Sequence, residues 1–142
     1  MSRVKSILER KGADYVSVHP DTSVLDALKL MADKNIGSVI VLDNGAYMGI
    51  ITERDYSRKV ILKDKHSDTT KVSEIMSNDL PHISPEDSIE HCMALFADKK
   101  IRYLPVFENG KLSGIVSMSD VVKEIILDQK QTIDHLHAFI HS

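Results

Sequence analysis

Gly49-Ile50-Ile51-Thr52-Glu53-Arg54-Asp55 and Gly114-Ile115-Val116-Ser117-Met118-Ser119-Asp120 stand 65 positions apart and share one pattern: glycine, two apolar residues, a hydroxyl, two variable residues and an aspartate. Working outward at that fixed offset, residues 16–55 align without a gap to residues 81–120. Pro20 meets Pro85, Ser23 meets Ser88, Ala32-Asp33-Lys34 meets Ala97-Asp98-Lys99, and Asn44-Gly45 meets Asn109-Gly110. Turn chemistry, register and apolar pattern persist together over the whole span, which marks an internal duplication.

Each copy parses locally. A short alternating segment ending at Val18 or Ile83 reads as a strand stopped by Pro20 or Pro85. Ser23 and Ser88 are placed to cap a helix, their hydroxyls accepting from first-turn amides, with Asp26 completing a capping box on the first. Val24, Ala27, Leu28, Met31 and Ala32 share one helical face, as do Ile89, Cys92, Met93, Phe96 and Ala97. Apolar runs from Ser38 to Leu42 and from Tyr103 to Phe107 lead into Asn-Gly, the pair that a type I′ hairpin turn favours because both central residues need positive φ. Pro105 has no N–H to give, so its strand is expected at an edge. Second helices are expected over Glu53–Leu62 and from Met118 to about Gln129. The reading is an α+β fold of two strand–helix–strand–strand–helix repeats, related by an approximate two-fold axis with a ligand cleft for each. The expected division is residues 1–65, 66–130 and a C-terminal helix 131–142, in one compact body. Capped preludes at Val4–Leu8 and Val72–Met76 precede the repeats, and the polar stretch Lys63–Thr70 reads as the linker. Thr132–His141, with Ile133, Leu136 and Ile140 on one stripe, is expected to pack on the body or on a second subunit.

Composition narrows the classes of function. A net charge of −3 on 142 residues argues against a general nucleic-acid groove, which needs a clustered basic surface. No apolar run is long enough to span a bilayer, and the start lacks a signal peptide's apolar core. Cys92 is the one cysteine, so no internal disulfide can form, and a reducing, cytoplasmic setting is expected. Its place on an apolar helix face suits core packing. His137 and His141 have i, i+4 spacing but no third ligand at a recognisable distance, so no metal is expected. Walker, GxGxxG and GxSxG strings are absent.

With its duplicated order, the Ile101-Arg102-Tyr103-Leu104-Pro105-Val106 string and the twin closing strings, the chain resembles the CBS-domain family from Val4 to about Gln129. The resemblance implies a tandem pair that binds adenosine ligands (AMP, ADP, ATP or NAD), with no catalytic cofactor, and that signals occupancy to a separate regulated protein as a homodimer. Thr52 and Ser117 would donate at a helix N-terminus, itself a natural anion site. Asp55 and Asp120 would accept both hydroxyls of a ribose. Adenine would lie near Val18 and Ile36 in one cleft and near Ile83 and Ile101 in the other. Arg54, Arg58 and Lys59 would bring more phosphate-binding charge to the Asp55 side than Ser119 and Lys123 bring to the other, while Arg102, replaced by Gly37 in the first copy, could reach phosphate from its strand. The same hydroxyl-x-x-Asp string also serves as a capping box with no ligand. Three rivals are a ligand-free interaction module, a nucleotide-processing enzyme, and nucleic-acid binding through Arg54, Arg58 and Lys59.

Overall fold

A computed structural model describes residues 2–12 and 14–141. The helices are α1 (Val4–Lys11), α2 (Val24–Lys34), α3 (Glu53–Lys59), α4 (Ile89–Lys99) and α5 (Met118–His141). The strands are β1 (Ser17–Val18), β2 (Ser38–Asp43), β3 (Ala46–Thr52), β4 (Tyr103–Glu108) and β5 (Lys111–Ser117). Contacts divide the chain into two units, Met1–Asp14 with Pro81–Ser142, and Tyr15–Leu80.

In the Tyr15–Leu80 unit, β1 runs parallel to β2, and β2 pairs antiparallel with β3. The Asn44-Gly45 turn has φ of 50° and 85°, as a type I′ hairpin requires. Val24, Ala27 and Met31 of α2 bury against Val39, Val41 and Ile51 of the sheet. Ser23 caps α2 by accepting from the Asp26 amide at 3.1 Å. The polar linker is more than a connector, because its Ser67 and Thr70 carbonyls accept from the Leu25 and Val24 amides at 2.9 and 2.8 Å. These amides open α2 and have no helical carbonyl to reach.

The other unit repeats this plan with β4 and β5 around the Asn109-Gly110 turn, and with Ile89, Cys92 and Phe96 of α4 buried against Leu104, Val106 and Val116. Its first strand shrinks to the single bridge Ile83–Val106. The cause is Pro105: in the first copy the Ile40 amide donates to the Val16 carbonyl at 3.0 Å, and the equivalent Pro105 has no proton to give. β4 therefore stays an edge beyond that bridge, as Pro105 predicts.

Each prelude packs on the other repeat, and two helix boundaries need correction. The Val4 and Lys5 amides donate to the Asp87 and Pro85 carbonyls, and the Val72 and Ser73 amides donate to those of Thr22 and Pro20. A free carbonyl pair just before each helix cap receives each incoming segment. The helix expected to Leu62 ends at Lys59, and Ile61–Lys63 forms a 3-10 turn. Val60 is buried at this break, while the following Ile61 and Leu62 are exposed. Finally, Met118–His141 is one unbroken helix of 24 residues, not two. The Gln129-Lys130-Gln131-Thr132 joint contains no glycine or proline, and the Thr132 hydroxyl folds back onto the Asp128 carbonyl at 3.0 Å.

Candidate functional site

In both copies the second hairpin strand runs directly into a helix, and the earlier strand helps to fix that junction. The Met118 amide donates to the Arg102 carbonyl at 2.8 Å, and the Glu53 amide donates to the Gly37 carbonyl at 3.2 Å. The backbone arrangement is equivalent, but only the second copy carries a cationic side chain there. Arg102, Ser117, Ser119 and Lys123 converge with Met118 on a cleft of about 410 Å³ at the start of α5. Four residues singled out by the sequence thus meet at one place. Arg102, Ser119 and Lys123 are exposed. The N-terminal end of a long helix carries the positive end of its dipole, which adds to the two cations.

Asp120 closes the Ser117 cap from the inside. Its Oδ2 accepts from the Ser117 amide at 2.9 Å, and the Ser117 Oγ accepts from the Asp120 amide at 3.1 Å. The same Oδ2 accepts from Lys11 Nζ of α1 at 2.8 Å, and no hydrogen bond from a described residue reaches Oδ1. Burial pushes the Asp120 carboxyl up, but the hydrogen bonds from Lys11 and Ser117 and the Lys11 charge outweigh it, leaving the pKa below its ordinary value of 3.8.

Asp55 is placed differently. It is 7% exposed, and both of its oxygens are engaged. Oδ2 accepts from the Thr52 amide and hydroxyl, each at 3.0 Å. Oδ1 accepts from Ser77 Oγ at 3.1 Å and pairs with Lys59 Nζ at 2.9 Å. Lys59, counted among the phosphate-binding cations of this side, is drawn away to Asp55 and to the Ile75 carbonyl. Arg58 is exposed on α3, and Arg54 is half-buried. In the first copy Thr52, Asp55 and Lys59 are brought together by their own hydrogen bonds and ion pair.

The apolar positions also divide. Val18 and Ile36 are half-buried against the core of their unit, and Ile101 is half-buried against the other. Ile83 is 3% exposed and gives almost all of its side chain to the core, so it has little surface left for a base. Sequence reasoning missed Lys11 and Ser77. Neither belongs to the repeated string, and each reaches its aspartate only through the exchanged preludes.

A second groove of about 430 Å³ lies along α4 and α5, with Glu90, Ile125, Asp128 and Ile133 in its lining, and contains none of the expected site residues. Among the described residues no group of three or more side chains could hold a metal ion, and no helix is long and apolar enough to cross a membrane.

Two strand–helix–hairpin–helix copies, each closed by a hydroxyl–aspartate cap, define a tandem-repeat α+β module. The chain belongs to the CBS domain family, which matches residues 4–61 and 72–127. A relative, the CBS domain-containing protein CBSX3, mitochondrial, of Arabidopsis thaliana, is 38% identical over 96% of this chain and 71% of its own length. A solved CBS-domain structure from Burkholderia ambifaria is 42% identical and superimposes with a TM-score of 0.86 over 90% of this chain and 96% of its own. The hexameric CBS-CP12 protein of bloom-forming cyanobacteria is 32% identical, with a TM-score of 0.74 over 86% of this chain and 70% of its own.

Proposed function

We propose that the chain is a regulatory nucleotide sensor, binding an adenine nucleotide of the AMP, ADP, ATP or NAD type in the α5 cleft and passing occupancy to a separate protein. The observation that carries this reading is the convergence of Arg102, Ser117, Ser119 and Lys123 on one cleft at a helix N-terminus. Two cations and two hydroxyls at that end of a 24-residue helix suit a phosphate group. Asp120, which stands outside that lining, would offer Oδ1 to a ribose hydroxyl, and Ile101, packed against the core, would meet adenine as the family resemblance implies.

The first copy supports a lesser role. The Asp55 carboxylate is satisfied by its own chain, and a seven-residue α3 presents a weaker positive end. We therefore assign one principal site per chain, on the Asp120 side, opposite to the charge balance that Arg54, Arg58 and Lys59 suggest in sequence. Binding is the reading that the donors and cations lining the cleft support. Self-association is in keeping with a similar protein that is hexameric. The unpaired, buried Cys92 suits a reducing compartment such as the cytoplasm.

Calorimetric titration of the full chain with AMP, ADP, ATP and NAD tests this. The expected result is one site per chain, with Arg102→Ala and Lys123→Ala each weakening the preferred nucleotide about tenfold, the loss expected from one charge-assisted contact. No binding by any of the four, together with an unchanged melting temperature, would leave a ligand-free interaction module as the correct reading. Measured turnover of ATP or NAD would make it an enzyme.

A further inference from the structure

The two incoming segments close their aspartates with groups of different mobility. In the first repeat the Ser77 amide donates to the Ile50 carbonyl at 2.8 Å, and the Ser77 hydroxyl donates to Asp55 from that fixed main chain. In the second repeat one atom takes both equivalent places: Lys11 Nζ donates to the Ile115 carbonyl at 3.0 Å and to Asp120 Oδ2 at 2.8 Å. A main-chain bridge moves only with its segment, whereas an ammonium on a flexible four-carbon stem leaves by rotation about side-chain bonds. The segment itself is held independently of Lys11. Val4 and Ile7 are buried in the core, the Ser2 amide donates to Asp128, and Arg10 pairs with the buried Glu124. The Lys11 side chain is 35% exposed, so a freed ammonium is readily solvated.

Its position conflicts with a ribose. A carboxylate oxygen offers about two lone-pair directions. Oδ2 of Asp120 already accepts from the Ser117 amide at 2.9 Å and from Lys11. A diol held across the carboxylate needs a place on each oxygen, and Oδ2 has none to give. The Ser117 amide is part of the helix cap and cannot withdraw, but Lys11 can. The carboxylate meets α1 through this contact, and Asp120 stands outside the lining of the cleft that Ser117 and Ser119 share.

We infer that Lys11 is a latch on the α5 nucleotide site: it holds Asp120 Oδ2 against α1 and must release it before a ribose diol can take both oxygens. This rests on the nucleotide reading above and adds the regulation of that site. Arg102 and Lys123 favour the phosphate, while this third cation opposes the sugar. Apparent affinity is then lowered by the fraction of chains in which Asp120 is unlatched. A partly exposed ion pair sets that factor at about fivefold.

Calorimetric titration with AMP, ADP, ATP and NAD, repeated on full-length Lys11→Met and Lys11→Arg, tests the latch. Lys11→Met should bind the preferred nucleotide about fivefold more tightly, opposite in sign to Arg102→Ala and Lys123→Ala. Lys11→Arg restores a cation to the pair and should return to the affinity of the unaltered chain. Peptide mapping after brief acetylation should show Lys11 modified faster when that nucleotide saturates the chain, whereas a lysine covered by a ligand is modified more slowly. Binding by the unaltered chain that Lys11→Met leaves unchanged or weakens would overturn the latch while the nucleotide reading stands, as would slower acetylation of Lys11. No binding by either the unaltered chain or Lys11→Met would remove the nucleotide reading and the latch with it.

Discussion

Lys11 Nζ donates to Asp120 Oδ2 at 2.8 Å and to the Ile115 carbonyl at 3.0 Å, so one side chain of α1 closes both the last strand and the last helix of the second repeat. In the first repeat, the Ser77 main chain and hydroxyl occupy the equivalent places. The Ser77 amide donates to the Ile50 carbonyl at 2.8 Å, and its Oγ donates to Asp55. The two copies thus solve one closing problem with different chemistry: the incoming segment brings a lysine side chain in one, and a serine hydroxyl with a backbone bridge in the other.

The salt bridge makes stability depend on pH. The folded pKa of Asp120 lies below its ordinary value of 3.8, so its contribution is complete above that value and drains as pH falls through the lower, folded one. Lys11→Met and Asp120→Asn are each expected to lower stability by about 1 kcal/mol at pH 7, a modest figure because Lys11 is solvent-screened. Urea midpoints from pH 7 down to pH 3 check this: the gap between wild type and Asp120→Asn should narrow below the ordinary value, and a constant gap would disprove the pairing.

Asp55 predicts a larger and different response. Asp55→Ala removes both halves of the Thr52 capping box and leaves the Lys59 ammonium and Ser77 hydroxyl without their carboxylate. A loss of about 2–4 kcal/mol is expected, more than for Asp120→Ala. Denaturant unfolding of the two variants side by side gives the comparison.

Gly49 and Gly114 are equivalent in sequence but not in surroundings. A Cβ on Gly49 would stand 2.7 Å from the Ser77 carbonyl oxygen, a main-chain atom held by the bridge to Ile50. On Gly114 the nearest atom is Leu8 Cδ2 at 3.0 Å, the end of a flexible side chain. Gly49→Ala should cost about 2 kcal/mol or more and Gly114→Ala less than about 1 kcal/mol. Thermal melts of the pair would show the difference, and equal losses would contradict it.

Cys92 is fully buried, and burial first, then the nearby Asp87 charge, pushes its thiol up to about 11. The thiolate is the reactive form, so a thiol reagent at pH 8 should leave the folded chain untouched and label it completely once urea has unfolded it. Labelling faster than unfolding would indicate an open route to the core.

Sequence alone determined what is decided within a few residues. The Asn-Gly turns, the Ser23 and Ser88 caps and the helix faces follow from backbone φ preferences and short-range hydrogen bonds, and duplication at a fixed offset doubled each signal. Pro105 even announced its edge, because a missing N–H is a property of the residue itself. The convergence of Arg102 with Ser117, Ser119 and Lys123 was half legible: the string marked the helix start, and the strand carbonyl under Met118 completed it.

Tertiary structure decided everything that needs a partner far along the chain. That α1 serves the second repeat, that Lys11 meets Asp120 and that Ser77 shuts Asp55 are pairings no periodicity encodes. The hydroxyl-x-x-Asp string reads the same in both copies, yet one aspartate is sealed and the other keeps an open oxygen. What separates them is the donor brought by a distant segment, and a local motif carries no record of which segment folds back against it.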